Sequence, residues 1–296
     1  MRSFSFLVNP ASGGGAAPAA VVPVARILRD AGAVVDVTYS PGPRATLDLV
    51  RAAVERGDVV VSVGGDGMLS SIAGEVSGLG GTLGIVPAGR GNDFARMLGL
   101  PEEPEAIARV LLTAEPAPTD LIEATLTDGS VHVVAGSVYA GVDAQTAELV
   151  NRIHWLPRTL QYPAAAVKSL ATFRPTSYTV RVDGLTRTFL GATVVVANSA
   201  YYGKGMRIAP DAAVDDGELD VIVIEAAGKL GMIKAFPKVY DGKHVELDEV
   251  HVFRGREIEV AASPDVPMGS DGEPLAPLGT GAVRIAVLPG AVSVLR

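Results

Sequence analysis

The run Val59-Val60-Val61-Ser62-Val63, followed at once by Gly64-Gly65-Asp66-Gly67, constrains this chain more than any other feature. Such a run of β-branched residues suits a strand buried on both faces, the situation of a parallel strand between helix layers. Its neighbours agree. Phe4–Val8, Val34–Tyr39 and Thr82–Val86 read as strands, and Ala17–Ala31, Arg44–Arg56 and Leu69–Val76 as helices, with Gly32 and Gly57 as stops. The order β-α-β-α-β-α-β predicts a parallel, layered α/β domain.

From about Thr119 the rhythm changes. Asp128-Gly129 and Asp183-Gly184 each sit between strand-like runs, a hairpin signal. Val194–Ala197, Leu219–Glu225, Glu257–Ala261 and Val283–Leu288 add strands with few helices between them. The second part is therefore expected to be mainly antiparallel β, with Glu115-Pro116-Ala117-Pro118 at the boundary.

Composition removes several classes of function. In 296 residues there is no cysteine, which excludes disulfides, thiolate metal sites and cysteine nucleophiles. A net charge of −8 argues against a broad nucleic-acid grip, and no nucleic-acid partner is expected. Apolar runs such as Ala192–Ala197 are too short to span a membrane. The N-terminus reaches Asn9-Pro10 too early for a signal-peptide core, so a cytoplasmic protein is expected. There is no G-x-x-x-x-G-K-[ST], no G-x-S-x-G and no H-E-x-x-H, and no G-x-G-x-x-G opens a helix. His132, His154, His244 and His251 are scattered.

Gly-rich turns follow three of the expected strands: Asn9-Pro10-Ala11-Ser12-Gly13-Gly14-Gly15, Gly64-Gly65-Asp66-Gly67 and Pro87-Ala88-Gly89-Arg90-Gly91-Asn92-Asp93. In an open α/β sheet the carboxyl ends of the strands form the ligand crevice. Glycines there let backbone N–H groups approach an anion, and the following helix N-terminus adds its dipole. Three such turns on one sheet edge predict a phosphate site. Asp66 would repel phosphate unless a divalent cation lay between them, so it is a candidate to hold Mg2+. The alternative is that Asp66 caps the helix after Gly67.

The N-P-x-S-G turn, the G-G-D-G turn and the segment Gly89–Arg96, in that order, resemble the diacylglycerol kinase catalytic-domain family of bacterial lipid kinases, related to the sphingosine and ceramide kinases. The likeness continues in Pro210-Asp211-Ala212, in Asp215-Asp216-Gly217-Glu218-Leu219-Asp220-Val221 and in Ser270-Asp271-Gly272-Glu273, so it spans nearly the whole chain.

The resemblance implies two domains: an α/β nucleotide domain, here 1–118 completed by a returning strand at 289–296, and a β-sandwich-like lipid domain at 119–288. It implies transfer of the γ-phosphate of ATP, with Mg2+, to a lipid hydroxyl, diacylglycerol giving phosphatidic acid. Carried over residue by residue, nucleotide contacts fall at Asn9, Pro10, Ala11, Ser12 and Gly13, at Ser40, and at Gly64, Gly65, Asp66, Gly67, Met68, Leu69, Ser70 and Ser71. Gly89, Arg90 and Asn92 complete that set. The general base falls within Asp271-Gly272-Glu273. Acids matching Asp66, Asp93 and Asp120 form a charged network beside an active-site Mg2+ in the Gram-positive branch, which also carries a structural Mg2+ at the loop matching Ala213, Asp216 and Glu218. The family usually has Thr where this chain has Met68 and Arg90; the Arg90 guanidinium offers five donors to phosphate in place of the hydroxyls.

Asp271 and Glu273 flank a glycine, so in an extended segment both point to one face. Asp271, on the shorter arm, is the preferred base, with Glu273 as its support; a plain hairpin turn is the alternative for Asp271-Gly272. Between Glu148 and Asp183 there is no acidic residue, while Arg152, Arg158, Lys168, Arg174 and Arg181 are basic. Ile153, Trp155, Leu156, Leu160, Tyr162 and Phe173 lie among them. This suits contact with anionic lipid head groups at the inner membrane face, or equally a helical hairpin packed on the β domain. A homodimer is a further expectation. Two other readings stand beside the lipid kinase: an NAD kinase-like enzyme sharing G-G-D-G, and a nucleotide or lipid sensor without turnover.

Overall fold

The structure, a computed structural model, describes residues 2–40, 42–150 and 156–296. Arg152, Ile153, His154 and Trp155 lie outside the described residues.

The first half alternates as its sequence pattern requires: β1 (Ser3–Val8), α1 (Ala17–Asp30), β2 (Val34–Tyr39), α2 (Pro43–Glu55), β3 (Val59–Gly64), α3 (Asp66–Gly78), β4 (Thr82–Pro87), α4 (Asp93–Met97) and α5 (Pro104–Thr113). The strands pair in parallel in the order β2-β1-β3-β4. Side chains alternate across this sheet. Phe6, Val61 and Val63 join one core with Val24 and Leu28 of α1 and Leu111 of α5. Leu7, Val60 and Ile85 join the other with Val50 of α2 and Ile72 and Val76 of α3. Helices on both faces explain why every residue of β3 is buried.

The second half contains β5 (Pro116–Thr125), β6 (Val131–Val134), β7 (Ser137–Gly141), α6 (Val142–Val150), α7 (Arg158–Thr172), β8 (Thr176–Val182), β9 (Leu185–Ala197) and β10 (Leu219–Glu225). It continues with α8 (Lys229–Ala235), α9 (Lys238–Asp241), β11 (Val250–Gly255), β12 (Glu257–Ser263), β13 (Val266–Ser270), β14 (Glu273–Leu278) and β15 (Val283–Leu295). Pairing is antiparallel through β14-β13-β7-β9-β8-β12-β15, with β10 and β11 added beside β9 and with β5 and β6 beside β15. Asp128-Gly129 and Asp183-Gly184 turn the β5–β6 and β8–β9 hairpins. The expected fold class, a parallel α/β domain followed by an antiparallel β-sandwich-like one, is the architecture observed.

Two features shape the site. Strand β15 runs antiparallel to β5 and β12, then bends at Gly290 and adds Ser293 and Val294 in parallel to Thr82 and Leu83 of β4. One strand thus fastens both sheets. Helices α6, α7, α8 and α9 were poorly marked in the sequence, because Pro163 lies inside α7 and Gly231 inside α8. Tyr162 and Ala165 of α7 pack on Val195 and Ile222, and α8 packs against α7.

Candidate active site

The turns after β1, β3 and β4 converge at the carboxyl edge of the parallel sheet. Their backbones meet closely: a Cβ on Gly89 would stand 2.4 Å from Gly65 Cα, and one on Gly13 2.6 Å from the Ala88 carbonyl oxygen. Only glycine allows that approach. Two asparagines hold the turns. Asn9 Oδ1 accepts the Ala11 N–H at 3.0 Å, and Asn92, with φ 55°, accepts the Gly89 N–H at 2.7 Å.

These turns form one wall of a cavity of about 370 Å3 between the two domains. Of the residues expected to contact nucleotide, Asn9, Ala11, Ser12 and Gly13 line it from the first turn. Gly65, Asp66, Gly67 and Met68 line it from the second, and Gly89 and Arg90 from the third. Others stand behind the wall. Pro10 is exposed on its turn, and Leu69 is in the core. A Cβ on Gly64 would stand 3.0 Å from Met68 Sδ. Ser71 Oγ donates to the Gly67 carbonyl at 3.2 Å. Ser40 pairs with the Thr46 hydroxyl and so shapes the start of α2 rather than the cavity. Ser70 turns away, to Asp271.

The expected acids part company. The Asp66 carboxylate makes no cap on its own helix, which begins at Asp66; Oδ1 instead accepts the Phe94 N–H at 3.1 Å. A Cβ on Gly91 would stand 3.2 Å from Asp66 Oδ2 and 2.9 Å from Asp93 Oδ2, so both carboxylates face the space beside this glycine. Asp93 accepts Arg96 Nη1 and the Gly205 N–H at Oδ1, each at 2.7 Å, and the Lys204 N–H at Oδ2 at 2.8 Å. Burial, with the charge of Asp66 adding to it, pushes Asp93 up to about 6. Two converging carboxylates with space between them fit a divalent cation.

Asp120 does not join them. It is buried, and its oxygens are taken by the N–H groups of Gly217 and Gly290 at 2.7 and 2.6 Å. It fastens the loop before β10 to the bend of β15. Beside Ala213 and Glu218, the Arg254 guanidinium lies against Asp216.

The expectation for Asp271 and Glu273 also changes. They do not share one face of a strand, because Asp271 occupies the β13–β14 turn with φ 43°. Asp271 Oδ1 accepts the Ser137 N–H at 2.8 Å, and Oδ2 accepts the Gly136 N–H at 2.9 Å, the Ala135 N–H at 3.2 Å and the Ser70 hydroxyl. Burial still pushes it up to about 6, against the pull of these donors. Glu273 lines the cavity, as Asp271 does, and its side chain makes no hydrogen bond or ion pair with another described residue. Its Oε1 is 3.0 Å from where a Cβ on Gly67 would stand, at the first turn of α3.

Sequence reading missed Tyr139, Asp143, Tyr202 and Lys204, which line the cavity together with Tyr162 of the basic segment. Asp143 had a signal. It lies in the first turn of α6 after the β7 end Ala140-Gly141, close to the strand–glycine–acid–helix pattern of Gly64–Asp66. It accepts Thr193 Oγ1 at 2.6 Å and Tyr202 OH at 2.8 Å, and burial raises its carboxyl. Asp143, Tyr162 and Tyr202 also line a second, mostly apolar cavity of about 230 Å3, walled by Ala166 and Leu170 of α7, Met232 of α8, and Phe236.

Residues 3–124 match the diacylglycerol kinase catalytic domain, and residues 136–296 the YegS C-terminal NAD kinase beta sandwich-like domain. The chain is 33% identical over 295 residues to a diacylglycerol kinase of Mycobacterium tuberculosis (strain ATCC 25618 / H37Rv), covering 98% of this chain and 94% of that one. It is 25% identical over 230 residues to a diacylglycerol kinase of Bacillus subtilis, covering 75% and 73%. Two crystal structures from Bacillus anthracis str. Sterne share the fold, with TM-scores of 0.77 and 0.68 at 20% and 19% identity. Each covers 99% of this chain and 96% of its own. With both halves matched in order and a relative one-third identical along almost its whole length, the chain belongs to the diacylglycerol kinase family and is a kinase.

Proposed function

We propose that the chain transfers the γ-phosphate of ATP to the free hydroxyl of diacylglycerol, giving phosphatidic acid, with Mg2+ as cofactor. The observation that supports this best is the junction of two cavities of different lining. The more polar one is walled by glycine turns and the N-terminus of α3, which suits nucleotide phosphates. The apolar one suits an acyl chain. They share Asp143, Tyr162 and Tyr202, so a lipid lying through the junction brings its hydroxyl to the phosphate side.

In this reading Glu273, rather than Asp271, is the general base. Both line the cavity, but the lone pairs of Asp271 are occupied by four donors, whereas the Glu273 side chain has no such partner. Glu273 takes the hydroxyl proton as the lipid oxygen forms its bond to the γ-phosphorus. The bond from that phosphorus to the bridging oxygen breaks, and ADP leaves with the electron pair. Asp66 would hold Mg2+ with Asp93 behind it, and the bound ion would neutralise phosphate charge. Arg90 supplies guanidinium donors from the third turn.

Peripheral binding to a membrane follows from the surface beside the apolar cavity. Helix α7 carries Lys168, and Leu160 and Val167 are exposed on it; α8 and its flank carry Lys229, Lys234 and Lys238, with exposed Leu230. Residues 226–240 contain no acid, so two basic, acid-free segments meet where α7 packs on α8. No helix among the described residues is long and apolar enough to cross a membrane.

The test is incubation with γ-labelled ATP, Mg2+ and vesicles of phosphatidylglycerol containing dioleoylglycerol. The expected result is label in phosphatidic acid. Protein that binds ATP yet leaves all label water-soluble would reject the proposal.

A further inference from the structure

We infer that the Arg254 guanidinium takes the place of a structural cation beside the 210–218 loop, so that this chain closes the loop with protein groups alone. The inference is independent of the proposed reaction. It starts from strand register. Arg254 on β11 is the cross-strand partner of Asp220 on β10, which fixes the direction of its side chain over the loop leading into β10. There Arg254 Nε is 3.5 Å from Asp220 Oδ2 and 4.0 Å from Glu218 Oε2, while Nη2 donates to Asp216 Oδ2.

Both Asp216 oxygens already have a partner. Oδ1 accepts the Glu218 N–H at 3.0 Å, and Oδ2 is held by Arg254. A divalent cation bound between Asp216 and Glu218 would have to displace the guanidinium or sit against it, and like charges at that range repel. The rest of the loop is fastened without a cation. The Asp120 N–H donates to the Val214 carbonyl at 2.6 Å, the Gly217 N–H to Asp120 at 2.7 Å, and Arg296 to Asp215 at 2.7 Å. An Arg–carboxylate cluster also costs less dehydration than a bare ion, because a guanidinium is weakly hydrated.

The consequence is that any requirement for Mg2+ belongs to the phosphate site alone. The test uses an Asp66→Asn background, so that a cation at the phosphates contributes nothing, and needs no substrate. Mn2+ binding is followed by electron paramagnetic resonance and the melting temperature is recorded in EDTA and in excess Mg2+. The expected result is no tightly bound Mn2+ and a melting temperature equal in the two conditions to within about 1 °C. Adding Arg254→Met removes the guanidinium, lowers the melting temperature in EDTA, and lets Mg2+ or Mn2+ recover several degrees of it. Tightly bound Mn2+, or loss of stability in EDTA with Arg254 intact, would overturn the inference. These two readings do not require the Arg254→Met protein to fold.

Discussion

The Ser70 hydroxyl on α3 donates to the carboxylate of Asp271, 201 residues later in the β13–β14 turn. The same carboxylate gathers the N–H groups of Gly136 and Ser137 at the start of β7. Asp271 therefore ties the G-G-D-G helix, the β7 edge and the turn carrying Glu273 into one unit.

This arrangement separates the two carboxylates by experiment. Glu273→Gln should lower turnover by about 10²–10⁴-fold, the usual contribution of general-base catalysis, with ATP affinity unchanged. Asp271→Asn leaves donors facing a group that accepts more weakly, at a cost of about 1–3 kcal/mol. That corresponds to a fall in melting temperature of about 2–10 °C. Turnover and thermal unfolding measured on both variants decide the assignment. A dead but fully stable Asp271→Asn enzyme, beside an active Glu273→Gln one, would return the base to Asp271.

Gly67 tests the placement of Glu273 without touching its chemistry. A Cβ there would stand 2.9 Å from Glu273 Cγ, and the glycine is helical, so alanine itself brings no backbone strain. The exposed Glu273 arm must swing aside. Gly67→Ala is expected to leave the melting temperature within about 2 °C and to cut turnover at least tenfold. Full activity in that variant would show that Glu273 acts from some other position.

Asp66→Asn should abolish most turnover while the fold stays intact, since its one described hydrogen bond, from the Phe94 N–H, can still be accepted by the amide oxygen. The check is rate against Mg2+ concentration. Near-wild-type turnover at saturating Mg2+ would remove the metal role.

The pH dependence has a definite sign. Asp93 and Asp271 are both pushed up to about 6 by burial, and both act as ionised acceptors. Asp271 takes a proton as the pH falls through about 6, so kcat/KM should fall there, while a cation held beside Asp66 keeps Asp93 ionised and out of this step. Stability moves the other way. A folded-state pKa above the unfolded value near 3.8 means that these groups favour the folded state more at low pH, and that this gain is lost as pH rises through about 6. Rate and melting temperature recorded together should therefore diverge between about pH 6 and 5. A single-proton fall near pH 4 would contradict this.

The parts of the site legible in the sequence were those written in local pattern. Gly13, Gly65 and Gly89 follow strand-like runs, and the approach of their backbones requires glycine. The parts that stayed hidden depend on tertiary geometry. The positive φ of Asp271 turns its carboxylate onto the Ser70 hydroxyl and the N–H groups of residues 135–137, whereas an extended reading of Asp-Gly-Glu put it on one face with Glu273. Ser40 and Asp120 were placed at the site only by the family resemblance, yet their partners are Thr46, Gly217 and Gly290. Asp143 stands on a single Gly-x-Asp, too short a signal alone, and the apolar cavity beside it exists only once α6, α7 and α8 are packed. The role of Arg254 rests on the β10–β11 register, which no local pattern announces.

The most direct test of the account is to present the protein with γ-labelled ATP, Mg2+ and a total lipid extract, and to identify the labelled product. The account predicts one principal labelled species, phosphatidic acid, formed by the wild type and lost in Glu273→Gln. Label in NADP when NAD is supplied, or no transfer to any lipid by a protein that binds ATP, would contradict it.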